Sequence, residues 1–388
     1  MKVENKTTHL EDWIYSDKAQ LGLHIVSFDD ATFVTISWLH TLLDAMGRSA
    51  LLRAWQAVLD GREDDVPEFL GHDSDPLADL GKPKAENTKD GTLAPPEEDF
   101  VLKDKLVNRL GMMRFIFNYV WEFFWYPVED GKMLFMPSSY FAKIKSEAFA
   151  DLTSLDPSQL TYNTLKTTDA TPKPFLSDGD ILTAWNLRLL ARTSPGIANS
   201  SPARTLAVMN IFGMRDVLRS TSPPLIPQTG ALINNCVSAV WSHFAVQDFL
   251  TLPLGHVAAR IRKDLVTQGT RAQVEASQRL GRENGGTALF GSGDMALCAM
   301  TNWTKAKLFE VDFSAAIAKD ATVQKEERKR GRPSYIHLWA NKAKDFTLRG
   351  SGNCIGKGLD GNWWLSGLMR KEAMPGYVKA VEELSSLG

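Results

Sequence analysis

The chain has 388 residues, of which 44% are hydrophobic and 23% charged, the balance of a folded globular protein with room for two domains. Its formal net charge is −2 and its isoelectric point about 6.4. Both values argue against a protein whose main partner is nucleic acid or an anionic membrane, since both partners require a basic surface.

Cysteine usage and the first residues indicate a cytoplasmic protein. Cys236, Cys298 and Cys354 are far apart and form no CxxC pair, so we expect reduced thiols, no disulfide framework and no metal site. No apolar run follows the first charged residues, which argues against a secretory signal. The most apolar stretch, residues 112–126, carries two charges and is too short to span a bilayer, so no membrane partner is expected.

The first elements place a histidine at a strand-to-helix junction. Residues 21–28 and 31–38 have the pattern of two strands joined by a turn. His40 follows directly, and from Asp44 the apolar residues recur at helical spacing until Gly61. Side chains at such junctions are exposed at the end of a sheet and often carry chemistry.

The rest of the first half is mixed in the same way. Its patterns predict, in chain order, an acidic surface loop at 63–98, a helix at 104–125, a turn at 129–131, a strand at 133–136, a helix at 140–150 and an interdomain linker at 161–174. The linker is polar and contains proline, which is typical of a domain boundary.

The second half begins with a helix-capping sequence at 176–180. Its patterns then predict helices at 181–191, 245–248, 254–277 and 371–387, and strands at 206–212, 298–303, 309–313, 334–339 and 363–368. Strands and helices are mixed throughout and no repeat period is present. The predicted class is therefore α/β or α+β, with mixed sheets flanked by helices in two domains, 1–165 and 176–388.

His40 and Asp44 have the spacing of a general base and a neighbouring carboxylate. Transfer of an acyl group to an alcohol requires removal of the hydroxyl proton, and a neutral histidine suits this because its ordinary pKa lies near working pH. The spacing alone is weak, since it arises by chance in roughly every second chain of this composition. The alternative is a structural interpretation, in which His40 simply precedes a helix that Asp44 caps. From the spacing alone, the catalytic and the structural interpretation both stay open.

Five segments in a fixed order carry a resemblance to a known family. They are S-W-L-H-T-L-L-D-A-M-G at 37–47, L-S-D-G-D-I-L-T-A-W at 176–185, V-M-N-I-F-G-M-R-D-V-L at 208–218, T-N-W-T-K-A-K-L-F-E-V-D-F at 301–313, and residues 361–370. The first resembles the HxxxDG signature of the BAHD acyltransferases, with Ala45 in place of glycine. The chain resembles the fungal members of that superfamily over nearly its whole length.

The resemblance implies a fold of two chloramphenicol-acetyltransferase-like domains with a channel between them. Acyl-CoA, acetyl-CoA above all, would enter as co-substrate and a small-molecule alcohol of a natural-product pathway as acceptor. No bound cofactor and no nucleic-acid partner is expected, and the resemblance implies a monomer. The many Trp, Phe and Met residues favour a large apolar acceptor.

The resemblance also assigns roles to individual residues. His40 would be the general base, and Asp44 would turn away from the channel and pair with Arg215. Trp303 would direct its indole N–H toward the developing oxyanion. The other residues that it places at the site are Thr301 and Asn302 on the acceptor side, Ser37 and Trp38 as substrate contacts, and Asp312 as a structural residue.

Two departures from the family pattern bear on activity. The family's DFGWG motif reads D-F-S-A-A at 312–316, so the side that receives CoA is expected to have a different shape. The histidine motif begins near residue 40, whereas family members carry about half a domain before it. The first domain is therefore expected to be shortened, and the alternative is a catalytically impaired or regulatory binding protein on the same fold.

One motif points to a different function. Arg330-Gly331-Arg332-Pro333 matches the core of an AT-hook, which lies along a narrow A·T minor groove. The motif occurs once, acidic residues precede it, and the whole chain is slightly acidic, so a solvated loop is the favoured interpretation. A basic loop that attracts the phosphates of CoA is a further alternative.

Overall fold

The computed structural model describes residues 11–83, 97–163, 172–286, 288–317, 331–338 and 350–385. Its helices are α1 Glu11–Ile14, α2 Ala45–Leu59, α3 Arg109–Trp125, α4 Ser138–Asp151, α5 Asp178–Thr193, α6 Pro195–Ala198, α7 Arg215–Ser220, α8 Val246–Thr251, α9 Leu254–Gln268, α10 Arg271–Glu283 and α11 Met374–Ser385. Its strands are β1 Leu21–Ser27, β2 Thr32–Trp38, β3 Phe69–Leu70, β4 Glu129–Met136, β5 Thr205–Gly213, β6 Ala231–Leu232, β7 Val237–Ala245, β8 Ala296–Asn302, β9 Ser351–Lys357 and β10 Trp363–Arg370.

The chain divides into two compact units. The first unit comprises Met1–Ser74, Thr229–Cys236 and Glu310–Thr347, and the second comprises Asp75–Gln228, Val237–Phe309 and Leu348–Gly388. Residues 75–165 thus group with the second unit, a division that differs from the one at the 161–174 linker. The sequence-based boundary stays a prediction.

The first unit is built on a hairpin and one long helix. β1 and β2 pair antiparallel from Leu21–Trp38 to Ser27–Thr32, and within the described residues neither strand pairs with any other. A turn then leads into α2. The short strands β3 and β6 pair in parallel, which brings residues 229–236 to this unit although they are distant in sequence.

The second unit contains a mixed sheet. Over the described residues its strand order is β4-β10-β9-β8-β5-β7, parallel at β9–β8 and β8–β5 and antiparallel elsewhere. Helix α5 is buried over most of its length in the core of this unit. Its start is fixed by a capping box of Ser177 and Asp180, and Asp180 also receives a hydrogen bond of 2.7 Å from Nε of Arg262. The buried carboxylate is thereby paired, which offsets the cost of its desolvation.

Several sequence expectations differ from the structure. Residues 129–131 are not a turn, because they continue β4 and pair with β10. The helix predicted at 254–277 is two helices, since Gly269 ends α9 and Thr270 caps α10. The strand predicted at 309–313 is absent, since residues 309 and 310 belong to a 3-10 turn, and residues 334–338 are not a strand either, while residue 339 lies outside the described part. The sequence patterns predicted no strand at β9. Residues 164–171 of the predicted linker lie outside the described part. The chain on either side of them is joined by a backbone hydrogen bond from the N–H of Phe175 to the carbonyl oxygen of Thr161.

Candidate active site

His40 lies in the turn between β2 and α2. The strand ends at Trp38 and the helix begins at Ala45, as the change of period predicts. His40 is exposed, and its backbone carbonyl accepts a hydrogen bond of 2.6 Å from the side-chain amide of Asn235. The backbone at His40 is therefore held by the polypeptide while the residue stays open to solvent.

Asp44 is buried and bound to backbone on both sides. It is 4% exposed and is the N-cap of α2 in an extended conformation. Its Oδ1 accepts from the N–H of Gly47 at 2.9 Å, and its Oδ2 accepts from the N–H of Cys236 at 3.0 Å. One carboxylate thus joins the first turn of α2 to residues 229–236.

The backbone at Gly47 in α2 also lies very close to the backbone at Ile233. A side chain at Gly47 would place its Cβ 1.9 Å from the carbonyl oxygen of Ile233, so only glycine fits there without a shift of the backbone. The segment Ile233–Cys236 therefore contacts the His40–Gly47 turn at three points. The sequence carries no signal for these contacts of Asn235 and Cys236, because no local pattern connects His40 with a position 195 residues away.

Trp38 also stabilises the turn that contains His40. Its indole N–H donates to the carbonyl oxygen of Leu43 at 3.2 Å, and the guanidinium of Arg48 lies 5.3 Å from the centre of its ring. Ser37 precedes it on β2 and its hydroxyl lies against Gly22 of β1. The contacts found for both residues are structural, and their substrate contacts stay predictions.

In the second unit, Thr301, Asn302 and Trp303 lie at the carboxyl end of β8. The indole N–H of Trp303 donates to the hydroxyl oxygen of Thr301 at 3.1 Å. The side-chain oxygen of Asn302 accepts from the N–H of Thr304 at 3.0 Å, and its amide lies against Gly179, where a Cβ would approach its nitrogen to 2.3 Å. The indole proton of Trp303 is thus already engaged, while the Thr301 hydroxyl keeps its own proton to donate.

Arg215 is buried and is the first residue of α7, which begins two residues after β5 ends at Gly213. Its pairing with Asp44 stays a prediction.

Asp312 belongs to the first unit and binds its own loop. Its Oδ1 accepts from the N–H of Ser314 at 2.9 Å and its Oδ2 from Nε of Arg332 at 3.1 Å. The bonds from Ser314, and then the charge of Arg332, hold the pKa of Asp312 below its usual value. The segment D-F-S-A-A therefore still begins with a carboxylate that makes structural contacts.

Two residues of the R-G-R-P motif bind the loop that contains Asp312. Gly331 has a φ of +80°, and its carbonyl oxygen accepts from the N–H of Phe313 at 2.8 Å. Its neighbour Arg332 is bonded to Asp312, and Arg330 lies outside the described residues. An AT-hook requires an extended and available R-G-R-P, whereas two of these residues are bound to the chain itself.

Covalent catalysis by a thiol finds no support in the described residues. Burial raises the pKa of Cys298 and of Cys354 to about 12, so neither is a thiolate near neutral pH. Cys236 is fully buried as well. No cluster of three potential metal ligands occurs among the residues that the structure covers, and no helix in that part is both long and apolar enough to cross a membrane.

Comparison with known proteins defines the class. The chain is 37% identical over 384 residues to the acetyltransferase sphE of Aspergillus fumigatus, a match that covers 97% of this chain and 69% of that protein. It is 34% identical over 375 residues to the transcriptional regulator calD of Penicillium decumbens, which covers 94% of this chain and 68% of that protein. No protein-family model matches the sequence.

The fold has counterparts among solved structures. TRI101 of F. sporotrichioides, crystallised with coenzyme A and T-2, superposes with a TM-score of 0.57 at 17% identity, covering 95% of this chain and 69% of that one. The mixed α/β fold expected from the sequence is thereby confirmed. The protein is an acyltransferase by class. More narrowly, the chain belongs to the BAHD acyltransferase family, among its fungal members.

Proposed function

We propose that this chain transfers an acyl group, most simply acetyl, from acyl-CoA to a hydroxyl of a small natural product, with His40 as the general base. The observation that carries the proposal is the His40 turn, which exposes the histidine while its backbone and Asp44 are bound to Asn235 and Cys236. The acetyltransferase names of the fungal relatives and the coenzyme A bound to TRI101 support it. The proposed place of action is the cytoplasm.

The proposed reaction is direct. Neutral His40 takes the hydroxyl proton as the alcohol oxygen attacks the thioester carbonyl, a new C–O bond forms, and the carbonyl oxygen becomes an oxyanion. Collapse of the tetrahedral intermediate restores the carbonyl and breaks the C–S bond, and the CoA sulfur receives the proton from His40. Asp44 serves as a positioning residue, since both of its oxygens accept backbone N–H groups and it is buried.

For the oxyanion we propose Thr301 as the donor in place of Trp303. The Trp303 N–H donates to the Thr301 hydroxyl oxygen, which orients that hydroxyl so that its proton is available in another direction. Trp303 then acts as a positioning residue. This assignment replaces the indole donor implied by the family resemblance.

The two assignments make different predictions for substitutions. Thr301→Val keeps the shape but removes the donor, and we expect kcat to fall by roughly 10²–10³-fold, the effect of losing one oxyanion donor. Thr301→Ser should retain turnover within about tenfold because the hydroxyl remains. Trp303→Phe should reduce kcat by about tenfold or less. Steady-state kinetics of the three variants measures this.

The reverse ranking would contradict the assignment. If Trp303→Phe loses roughly 10²–10³-fold while Thr301→Val keeps its turnover, the indole is the donor. Circular dichroism of each variant separates a catalytic loss from misfolding.

The proposed function itself is tested by an acceptor panel. The chain is incubated with acetyl-CoA and terpenoid or polyketide alcohols, while free CoA thiol is measured and products are identified by mass. We expect thiol release that depends on an alcohol, with one acetyl group added to it. Calorimetric binding of acetyl-CoA without transfer to any alcohol would favour the impaired or regulatory alternative.

Two observations favour a second candidate, a DNA-associated regulator. The relative calD is named a transcriptional regulator, and this chain contains R-G-R-P. Against it stand the net charge of −2 and the bond between Arg332 and Asp312. This candidate requires salt-sensitive binding to an A·T-rich duplex that is lost in Arg332→Ala.

A further inference from the structure

The side chain of Asn302 shapes the carboxyl end of β8. Its Oδ1 accepts a hydrogen bond of 3.0 Å from the N–H of Thr304, two residues further on. This is an Asx turn, in which an asparagine side chain binds the backbone and takes the place of a backbone turn. The strand ends at Asn302 and a 3-10 turn, Thr304–Ala306, follows. The amide side chain therefore links the end of the strand to the start of the turn.

The Asx turn encloses a single residue, Trp303. Its backbone has φ −100° and ψ 10°. Its N–H donates to the carbonyl oxygen of Cys354 at 2.8 Å, and its carbonyl oxygen accepts from the N–H of Ala306 at 2.8 Å. Because the backbone dihedrals of a residue restrict its side-chain rotamers, the turn also directs the indole. The indole N–H is thereby brought to the hydroxyl oxygen of Thr301, 3.1 Å away.

Gly179 holds the Asn302 side chain from the other side. A Cβ at Gly179 would lie 2.3 Å from the amide nitrogen of Asn302, closer than two unbonded atoms can approach. Gly179 is the second residue of α5, where the backbone is helical and an ordinary side chain would be tolerated. The amide of Asn302 is therefore the reason why glycine is required there.

The family resemblance assigns Asn302 to the acceptor side, where its amide would bind the alcohol. In the structure its oxygen binds the N–H of Thr304 and its nitrogen lies against Gly179, so both polar atoms contact the chain itself. We propose that Asn302 is instead a positioning residue. Through the Asx turn it orients Trp303, whose indole orients the Thr301 hydroxyl toward the oxyanion. This inference rests on the proposed function, in which the Thr301 hydroxyl is the oxyanion donor.

Two substitutions at Asn302 distinguish positioning from binding of the alcohol. Asn302→Asp keeps an oxygen for the N–H of Thr304 but lacks the amide donor, whereas Asn302→Ala lacks both. We expect Asn302→Ala to lower kcat by roughly tenfold and to leave both KM values within about twofold. Asn302→Asp should keep kcat within about threefold of the wild-type value. An amide that binds the alcohol would instead raise the KM for the alcohol in both variants.

Gly179→Ala tests the contact from the side of α5. The added Cβ displaces the amide of Asn302 and strains its bond to Thr304, so kcat should fall by roughly three- to tenfold. Alanine is a better helix former than glycine, so the helix itself is not weakened. When Gly179→Ala is combined with Asn302→Ala, the Cβ meets no amide, and no loss beyond that of Asn302→Ala is expected. Additive losses would contradict the contact.

A measurement without turnover follows the Trp303 indole directly. The eleven tryptophans of a ¹⁵N-labelled chain give separate indole N–H resonances, and Trp303→Phe identifies the one that belongs to Trp303. This resonance should shift in Asn302→Ala and Gly179→Ala and stay in place in Asn302→Asp. Asp156→Ala is the matched control. It removes an Asx turn of the same unit, the 2.8 Å bond from the N–H of Ser158, and should leave kcat and the Trp303 resonance unchanged.

Three outcomes separate this inference from the proposed function. A Trp303 resonance and a kcat that are both unchanged in Asn302→Ala would overturn the positioning role. A raised KM for the alcohol in both Asn302 variants would make Asn302 an acceptor contact. A wild-type chain that acetylates no alcohol would refute the proposed function, and the indole resonance would still decide whether Asn302 holds Trp303.

Discussion

Asp44→Ala is expected to lower the free energy of unfolding by about 1.5–5 kcal/mol, the sum of two losses. The N-cap of α2 disappears, which costs about 0.5–2 kcal/mol, and the buried N–H of Cys236 loses its acceptor, which costs about 1–3 kcal/mol. Turnover should fall with it, because the segment Ile233–Cys236 also supports His40. Urea unfolding monitored by tryptophan fluorescence measures the change, as a shift of the midpoint at constant slope.

Two further variants separate the loss of the N-cap of α2 from the loss of the hydrogen bond to Cys236. Asp44→Asn keeps an acceptor for the cap but turns an amide N–H₂ toward one of the two backbone donors, so an intermediate destabilisation is expected. Thr270→Ala removes an N-cap alone, the bond from the N–H of Gln273 to the Thr270 hydroxyl, and should cost about 1 kcal/mol. If Asp44→Ala were no more destabilising than Thr270→Ala, the bond to Cys236 would contribute nothing.

Elements with local signals could be predicted from the sequence. The strands around Asp29-Asp30, the junction at His40 and the capping box of Ser177 and Asp180 depend on residues a few positions apart, so periodicity and turn chemistry identify them. The end of α2 could be predicted for the same reason, because Gly61 follows it closely. Local physical preferences and tertiary structure agree at these places.

Features that depend on distant pairing could not be predicted. Residues 129–131 read as a turn, yet Gly131 pairs with Leu368 of β10, and such a partner leaves no trace in the local sequence. Likewise the pattern of α3 shows an apolar face but does not say whether that face is buried. The contacts of Asn118 and Glu122 hold one face of α3 to the second unit, and Phe117, Trp121 and Phe124 are left exposed.

Some residues of the candidate site could also be predicted from the sequence, and others could not. Motif order alone proposed His40, Asp44 and the segment at 301–303 as candidates, and these residues belong to two compact units. Asn235 and Cys236 follow β6, which pairs in parallel with the distant strand β3, so no local pattern predicts their bonds to His40 and Asp44. The bond from Trp303 to Thr301 changes which of the two can donate to an oxyanion, and sequence carries no signal for it.

His40→Ala is expected to have the largest effect on catalysis. Loss of a positioned general base lowers the rate of the chemical step by roughly 10²–10⁴-fold. His40 is exposed and its anchoring bond uses only the backbone carbonyl, so the unfolding midpoint should stay near that of the wild-type chain. His72→Ala, an exposed histidine of the same unit whose ring contacts Asp73, is the matched control and should keep full turnover.

Single-turnover acetyl transfer by His40→Ala, at saturating acetyl-CoA and with an acceptor identified from the panel, tests the assignment of the base most directly. We expect binding of both substrates to be retained and the rate of product formation to fall by roughly 10²–10⁴-fold relative to the wild-type chain. A His40→Ala chain that forms product at the wild-type rate would contradict His40 as the general base.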